Sequence, residues 1–219
     1  MPEFNIPELD RQEILDQAMN WRYATKIFDP EKKISSKNLE VLKKSLILSP
    51  SSFGLQPYKF LFVESLDLRK QLTPHSWNQL QIEQADLLVV FLALNQIDEE
   101  YIDKFLKITA ETRNINISSL AFYRKMMAEN LINSEKNILE WSSRQSYIAL
   151  ANLMTTASLL KIDSCPIEGF EQVAYEKILK IDSSYNAVCV CALGYRSLED
   201  KYQNLAKVRF SALDLIANC

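Results

Sequence analysis

Two pairs of basic residues at opposite ends of the sequence combine side-chain types suited to binding an anion. Arg22 and Lys26 lie four positions apart, and Lys207 and Arg209 lie two positions apart. Arginine offers a planar fork of donors and lysine a compact charge, so both pairs could contact a phosphate. The ordinary alternatives are a solvated basic helix end and a solvated pair of charges near the chain terminus.

Two further segments could present hydroxyl and backbone donors to a flat polar ligand. The first, Ser49-Pro50-Ser51-Ser52-Phe53-Gly54-Leu55-Gln56-Pro57-Tyr58, separates a predicted helix from a predicted strand. The second, Cys165-Pro166-Ile167-Glu168-Gly169-Phe170, follows a long apolar helix, and its proline and glycine predict a turn around a carboxylate. An ordinary connection and a plain turn are the alternatives for these segments.

The counts of glycine, histidine and cysteine exclude several common kinds of site. The three glycines, at positions 54, 169 and 194, are too far apart for a G-x-G-x-x-G fingerprint or a P-loop. The single histidine, His75, excludes multi-histidine metal sites, and its Thr-Pro-His-Ser context predicts a surface turn. The four cysteines include no C-x-x-C pair, and Cys189 and Cys191 are predicted to be buried in a strand.

The composition is that of an ordinary globular protein. Hydrophobic residues make up 47% of the 219 residues and charged residues 24%, with a formal net charge of −3. This balance gives no indication of a nucleic-acid-binding face, and no apolar run reaches the roughly 18 residues of a membrane span. The N-terminus has no basic and apolar leader pattern, so we expect a cytoplasmic protein with one domain over residues 1–219.

The apolar pattern predicts the elements that must position these segments. Three runs, residues 60–63, 86–94 and 186–193, are typical of strands buried on both faces. Helical spacing covers most of the remaining chain, without regular alternation of strands and helices, so we expect an α+β fold. The predicted helices span residues 9–21, 36–48, 98–113, 118–131, 138–160 and 171–179.

Taken together, the four segments resemble the motifs of the nitroreductase family of flavoproteins, in particular its oxygen-insensitive NAD(P)H nitroreductase and dihydropteridine reductase branch. Residues 22–29 resemble the R-x-S-T-K-x-F-D opening, residues 49–57 the S-P-S-S-x-x-x-Q-P loop, and residues 166–170 the P-I-E-G-F turn. Residues 194–200, followed by Lys207-Val208-Arg209, resemble the closing G-x-x-S-x-E-D and K-x-R motifs. Their order and spacing match over nearly the whole chain.

The resemblance implies a nitroreductase-like fold, with a mostly antiparallel central sheet surrounded by helices. It also implies an intertwined homodimer that holds FMN at its interface. Arg22, Lys207 and Arg209 would bind the FMN phosphate, and Lys26 would lie near N1 and O2 of the ring. The other cofactor-binding residues implied are Tyr23, Ala24, Asn78, Gln81, Pro166, Ile167, Glu168 and Gly169 from one subunit, and Pro50, Ser51, Ser52 and Gly54 from its partner.

Two positions depart from the family pattern. Ala24 stands where the family has a serine, which removes a hydroxyl from the flavin edge. Gln81 stands where close relatives have a lysine that contacts the flavin and the nicotinamide. Because a cation there favours the anionic reduced flavin, we predict a lower reduction potential than in the relatives with lysine.

The activity that the resemblance implies is ping-pong electron transfer. NADH or NADPH would pass a hydride to FMN and leave, and a flat nitroaromatic, quinone or pterin would then accept two electrons. The cofactor carries the chemistry, so no catalytic side chain is expected. Two alternatives stay open, namely a non-catalytic FMN-binding sensor or carrier of the same fold, and a structural dimer that has lost its flavin.

Overall fold

Uninterrupted apolar runs form the central strands of the sheet in this computed structural model, which describes residues 8–218. All eight residues of strand β2, Leu87–Leu94, are buried, as packing on both faces requires. The other strands are β1 (Tyr58–Val63), β3 (Asp163–Ile167) and β4 (Tyr185–Gly194). Their order in the sheet is β1-β2-β4-β3, and all neighbouring strands are antiparallel.

These elements confirm the predicted α+β class and the antiparallel sheet. The three predicted strands coincide with β1, β2 and β4 within a few residues. Residues 1–7 and Cys219 lie outside the described residues. The expectation that the N-terminus has no leader pattern concerns residues 1–7.

Strand β3 is the part of the sheet that the sequence pattern does not predict. The prediction of a turn is wrong for Pro166 and Ile167, which form the end of β3. Proline has no N–H and argues against a central strand, but β3 pairs within the sheet only with β4 and forms its edge, where proline is tolerated.

Helices cover both faces and the ends of the sheet. The prediction for residues 118–131 is met by a 3-10 turn, Ile117–Leu120, followed by an α-helix, and two short helices between β1 and β2 are new. The helices are α1 (Glu8–Trp21), α2 (Ser36–Ile47), α3 (Leu66–Leu72), α4 (Gln81–Gln84), α5 (Glu99–Arg113), α6 (Ala121–Leu131), α7 (Ile138–Leu159), α8 (Gln172–Ile178) and α9 (Ala212–Leu215).

Capping side chains set the helix starts that flank the predicted site segments. The Ser35 hydroxyl accepts a hydrogen bond from the Asn38 N–H at the start of α2, and Asn137 does the same for the Glu140 N–H in α7. His75 lies in a 3-10 turn, Pro74–Ser76, with its Nδ1 2.8 Å from Glu171 Oε2, so the predicted turn is present.

Alternate residues of β2 face two separate hydrophobic cores. Leu88 and Val90 pack on one side with residues of α3 and α8, and Val89 and Phe91 pack on the other side with residues of α2 and α7. A third core lies under α5 and α6. The sheet is therefore the middle of three layers, and the loops at its ends are free to carry a site.

Apolar side chains remain exposed along α1 and the end of the chain. Ile14, Leu15 and Met19 of α1 are 46–49% exposed, although their helical spacing forms one face. Every residue of the C-terminal arm, residues 204–218, is exposed. Among the helices that the structure describes, none has the length and apolar character needed to cross a membrane.

Candidate functional site

Four basic side chains line one cavity of about 420 Å³ between the end of α1 and the C-terminal arm. Arg22 and Lys26 come from the segment after α1, and Lys207 and Arg209 come from the arm. None of the described residues that line this cation cavity is acidic. The fold thus brings together the two basic pairs from opposite ends of the sequence. The cavity is also lined by Asn20, Trp21, Tyr23, Ala24, Tyr202, Gln203, Leu205 and Ala206.

Lys207 connects the arm to the end of α1. Its Nζ donates hydrogen bonds of 2.6 Å to the backbone oxygens of Met19 and Arg22. These bonds satisfy carbonyl groups that a helix C-terminus leaves without intrahelical donors. Burial lowers the pKa of Lys207, and the charges of Arg22 and Arg209 lower it further. An anion in the cavity would relieve this repulsion.

The side chain of Arg22 contains a buried donor without an acceptor. Its Nε atom is shielded from solvent and has no hydrogen-bond partner in the part of the chain that the structure describes. A buried donor left without a partner costs about 1–3 kcal/mol. This donor and the three other basic side chains of the cavity suit a ligand with several anionic oxygens. A phosphate has this chemistry.

Asp200 fixes the segment that carries Arg22 and Lys26. One of its carboxylate oxygens accepts hydrogen bonds from the Tyr23 hydroxyl at 2.9 Å, the Lys26 N–H at 2.7 Å and the Ile27 N–H at 3.2 Å. Its other oxygen accepts the Tyr202 N–H at 3.0 Å. Burial opposes ionisation of Asp200, but these hydrogen bonds outweigh it and lower the pKa. Asp200 thus joins both sides of the cation cavity as a carboxylate.

Lys26 and Gln81 meet at a buried thiol. The Nζ of Lys26 lies 4.0 Å from Cys165 Sγ, and the Gln81 side chain also hydrogen-bonds this thiol. Burial raises the pKa of Cys165, while the Lys26 charge acts in the opposite direction. The thiol is therefore neutral, and Cys165 acts as the contact between two residues that the sequence assigns to one site.

The backbone after β3 bends at Gly169, where the Phe170 N–H donates to the Glu168 oxygen at 3.0 Å. The ring of Trp77 packs directly on Gly169, and a Cβ added there would lie 2.3 Å from the ring. Gln79 Nε2 donates to the Gly169 oxygen at 2.9 Å, and the Tyr147 hydroxyl donates to the Glu168 carboxylate at 2.5 Å. Only glycine allows the ring to approach the backbone this closely.

Asn78 follows Trp77 in an unusual pair of backbone conformations. Both residues have φ of 55°, in the left-handed region that non-glycine residues seldom adopt. The Asn78 N–H donates to the Thr73 oxygen at 3.1 Å, which holds the pair in place. This strained turn places Asn78 beside the segment that leads to Gln81.

The loop containing Pro50, Ser51, Ser52 and Gly54 lies apart from the cation cavity and lines none of it. The Ser52 N–H donates to Gln145 Oε1 at 2.8 Å near the start of α7. In contrast, Trp21 contacts the end of α7, where Lys161 Nζ lies 5.1 Å from its ring centroid. Lys161 lies two residues beyond the end of α7, and at a rise of about 1.5 Å per residue Gln145 is roughly 21 Å from Leu159, the last residue of the helix.

Several residues around the site escape sequence reasoning because their partners are distant in the chain. Asp163 lies in the unpredicted strand β3, and Trp77 precedes Asn78 without any distinguishing pattern. Arg196 and Asp200 lie within the closing motif, so the sequence does mark their segment. What it does not mark is that both approach the segment after α1, more than 170 positions earlier.

Comparison with known proteins shows which family the sequence matches. The sequence pattern of the Nitroreductase family matches residues 19–195, well over half of the chain. A Staphylococcus haemolyticus protein with the provisional name NAD(P)H nitroreductase SH0546 is 39% identical over 215 residues. This alignment covers 94% of the chain and 97% of the relative.

Solved structures share the fold at lower identity. A nitroreductase-like protein from Streptococcus mutans superposes with a TM-score of 0.82 at 16% identity, covering 97% of this chain and all of the other. A provisionally named nitroreductase from Exiguobacterium sibiricum, solved in complex with FMN, gives a TM-score of 0.76 at 21% identity, covering 94% and 97% of the two chains. On the sequence match and the common fold, the chain belongs to the nitroreductase family.

Proposed function

We propose that this protein is an FMN-dependent oxidoreductase that takes electrons from NADH or NADPH and passes them to small flat acceptors. Nitroaromatics, quinones and pterins are the proposed acceptor classes. The observation that carries the proposal is the cation cavity, in which four basic side chains converge and Arg22 Nε lacks an acceptor. The FMN-bound relative from E. sibiricum supports the choice of cofactor.

The residues of the cation cavity fit the phosphate end of FMN. Arg22, Lys207 and Arg209 would bind the phosphate, which carries nearly two negative charges near neutral pH. The Lys207 ammonium has three N–H donors and uses two of them on backbone oxygens, so one remains for the ligand. Arg22 Nε would find its acceptor there.

The cluster around Cys165 fits the ring of the cofactor. Lys26 would place a positive charge near the pyrimidine edge, and Asn78 and Gln81 would supply amide groups. The backbone N–H groups of Glu168 and Gly169 would face N5 at the turn after β3. The wall of this site includes Tyr23, Ala24, Pro166 and Ile167.

We propose that a second copy of the chain completes the site. The loop that carries Pro50, Ser51, Ser52 and Gly54 contacts α7 through Ser52 at Gln145, whereas Trp21, the residue before Arg22, contacts Lys161 just beyond the other end of this helix, so one chain does not bring them to one ligand. The apolar residues exposed on α1 and the C-terminal arm support a homodimer, because apolar patches of this kind mark interaction surfaces.

Bound FMN would supply the two-electron chemistry, while the protein orients it and sets its electrostatic surroundings. The chain's own residues then have three tasks. The cations anchor the phosphate, Lys26 fixes positive charge beside the ring, and the Glu168–Gly169 turn holds backbone donors at its centre. A single acceptor site used first by the nicotinamide and then by the acceptor would give ping-pong kinetics.

The proposal is tested by adding FMN to the purified protein and then NADH or NADPH without oxygen. We expect the yellow colour at roughly 450 nm to bleach and to return when a quinone or nitrofuran is added. Initial rates at several acceptor concentrations are expected to give parallel double-reciprocal lines. Arg22→Met should weaken FMN binding, and Arg144→Met, which removes an exposed arginine paired with Glu140 on α7, should leave it unchanged.

Two results would contradict an enzymatic function. A yellow protein that neither nucleotide bleaches would be a flavin-binding sensor or carrier. A protein that remains colourless at high FMN concentration would be a structural dimer without flavin. The position of Lys207 beside Arg22 and Arg209 argues against the second result, since the charges of the two arginines disfavour its protonated form when no anion is bound.

A further inference from the structure

Arg196 lies between the two aromatic residues that flank Arg22. Its guanidinium carbon is 4.2 Å from the ring centroid of Trp21 and 4.5 Å from that of Tyr23. Its Nη2 also lies 3.5 Å from the Trp21 backbone oxygen. The residues before and after Arg22 therefore both rest on one guanidinium group, while Arg196 itself does not line the cation cavity.

A buried carboxylate fixes the position of Arg196. Asp163 is 3% exposed and contacts both Nε, at 2.8 Å, and Nη2, at 2.5 Å, of the guanidinium. It also accepts the Arg196 backbone N–H at 2.8 Å and the Thr25 hydroxyl at 3.4 Å. Charge-assisted contacts of this kind impose a defined geometry on both partners. Because the Arg196 charge is already paired, it is not available as a ligand for a phosphate.

We propose that Arg196 is a positioning residue that holds Trp21 and Tyr23 so that the Arg22 side chain is aimed at the flavin phosphate. This inference rests on the proposed function. The chain of contacts is short. Asp163 orients the guanidinium, the guanidinium holds the two rings, and Arg22, between the residues that carry these rings, lines the cation cavity with Lys207 and Arg209.

The planar shape of the guanidinium is essential to this role. It can contact an aromatic ring on each of its faces while its edge binds a carboxylate. A lysine ammonium keeps the charge but has no second face and no fork of donors. Arg196→Lys should therefore keep the ion pair with Asp163 and still lose the alignment of Arg22.

The test compares FMN with riboflavin, which has the same ring but no phosphate, as ligands of the full-length apoprotein. Dissociation constants are measured by fluorescence quenching, without turnover. We expect the wild type to bind FMN at least about 100-fold more tightly than riboflavin, because several charge-assisted bonds act on the phosphate. In Arg196→Lys and Arg196→Met this ratio should fall about tenfold, with riboflavin binding unchanged, as for one misaligned charge-assisted bond.

Two further variants separate positioning from folding. Arg196→Met leaves Asp163 as a buried charge without its counterion, so the double variant with Asp163→Asn is included, and folding of each is checked by circular dichroism. Lys161→Met is the matched control, since this lysine also contacts the Trp21 ring but has no contact with Asp163. It should keep the wild-type ratio.

The possible results are distinct. An unchanged ratio in the folded Arg196 variants, or an equal loss of FMN and riboflavin binding, would overturn the positioning role. A fall in the ratio for Arg196→Lys, Arg196→Met and the double variant, with the wild-type ratio kept in Lys161→Met, would support it. If the wild type itself does not distinguish FMN from riboflavin, the proposed phosphate site fails rather than the role of Arg196.

Discussion

The segment from Arg22 to Ile27 and the C-terminal arm meet at the same cavity but differ in how they are held. The first is held by side chains from distant segments, with Asp200 accepting the Lys26 and Ile27 N–H groups and the Arg196 guanidinium packed against the Tyr23 ring. The arm is attached mainly through Lys207, and five of its apolar side chains are between 66% and 94% exposed, namely those of Val208, Phe210, Leu213, Leu215 and Ile216.

This difference shows which part of the site a single chain builds. Buried carboxylates fix the phosphate-facing segment within one copy, whereas the arm presents apolar surface that none of residues 8–218 of the same copy covers. A surface of this kind gains free energy only when it is buried against another molecule. We therefore expect changes in the segment to act on ligand binding and changes in the arm to act first on assembly.

The largest effect is expected for the arm. Phe210→Asp combined with Leu213→Asp should weaken the proposed homodimer about 1,000-fold, since burying each side chain contributes about 2 kcal/mol. Sedimentation velocity over a range of protein concentrations measures this change. Val173→Asp, at an equally exposed valine on α8, is the control and should leave the dimer intact. If the wild type is monomeric at all concentrations, the arm does not act on assembly, and the proposed difference between the arm and the segment from Arg22 to Ile27 is wrong.

The next effect concerns Arg22. Arg22→Met should weaken FMN binding about 100-fold and leave riboflavin binding nearly unchanged, because it removes the charge-assisted hydrogen bonds to the phosphate. Equilibrium titration with both ligands provides the measurement. An equal weakening of both ligands would show that Arg22 supports the fold of the segment rather than the phosphate. The dimer should persist in this variant, which separates it from the arm variants.

A smaller effect is expected where the turn after β3 contacts Trp77. Gly169→Ala places a methyl group in the space of the Trp77 ring, and the exposed ring must move. We expect a loss of about 1 kcal/mol, or roughly 2–4 °C in Tm for a chain of this size. Combining it with Trp77→Leu should restore most of the loss. Equal losses in the single and double variants would show that the ring does not restrain the turn.

The departure at Gln81 gives an effect on the reduction potential. Gln81→Lys adds a cation near Cys165 and Lys26, which should raise the two-electron potential of bound FMN by about 30 mV, equal to about 1.4 kcal/mol. Spectroelectrochemistry of both proteins measures it, with Gln71→Lys on the exposed side of α3 as the control. An unchanged or lower potential in the Gln81 variant would contradict the electrostatic argument.

The smallest effect is a proton linked to FMN binding. Burial and the neighbouring arginines lower the pKa of Lys207 in the free protein, and the phosphate should raise it again. Binding at an alkaline pH at which part of Lys207 has lost its proton in the free protein should therefore take up protons, and affinity should fall as the pH rises further. Calorimetry in two buffers with different ionisation heats detects this uptake, which Lys207→Met should abolish.

Sequence reasoning recovers the elements that depend on local pattern. Strands β2 and β4 are predictable from their apolar runs, because burial on both faces requires apolar residues. The start of α2 is predictable from the serine before it, because serine is a common helix cap. The basic pairs at the two ends of the chain are visible for the same reason. Their convergence in one cavity is expected only from the family resemblance.

The rest depends on contacts between distant segments. Strand β3 escapes prediction because Pro166 is tolerated only at an edge, and the edge position is a property of the whole sheet. The ion pair of Asp163 with Arg196 joins two residues of ordinary type, so neither is distinguished before the strands are paired. The contact of the Trp77 ring with Gly169 is not predictable from the sequence either, since exposed tryptophans have no periodic pattern.

The edge position of β3 has a consequence for how site variants are handled in solution. An open edge strand can recruit strands from other molecules and so lead to aggregation. Two features of this protein limit pairing at the edge. Pro166 has no N–H to donate, and Ala24 forms a parallel bridge with Ser164. The ligand-facing segment thus also shields the sheet, and substitutions that loosen it should lower solubility even where the core stays intact.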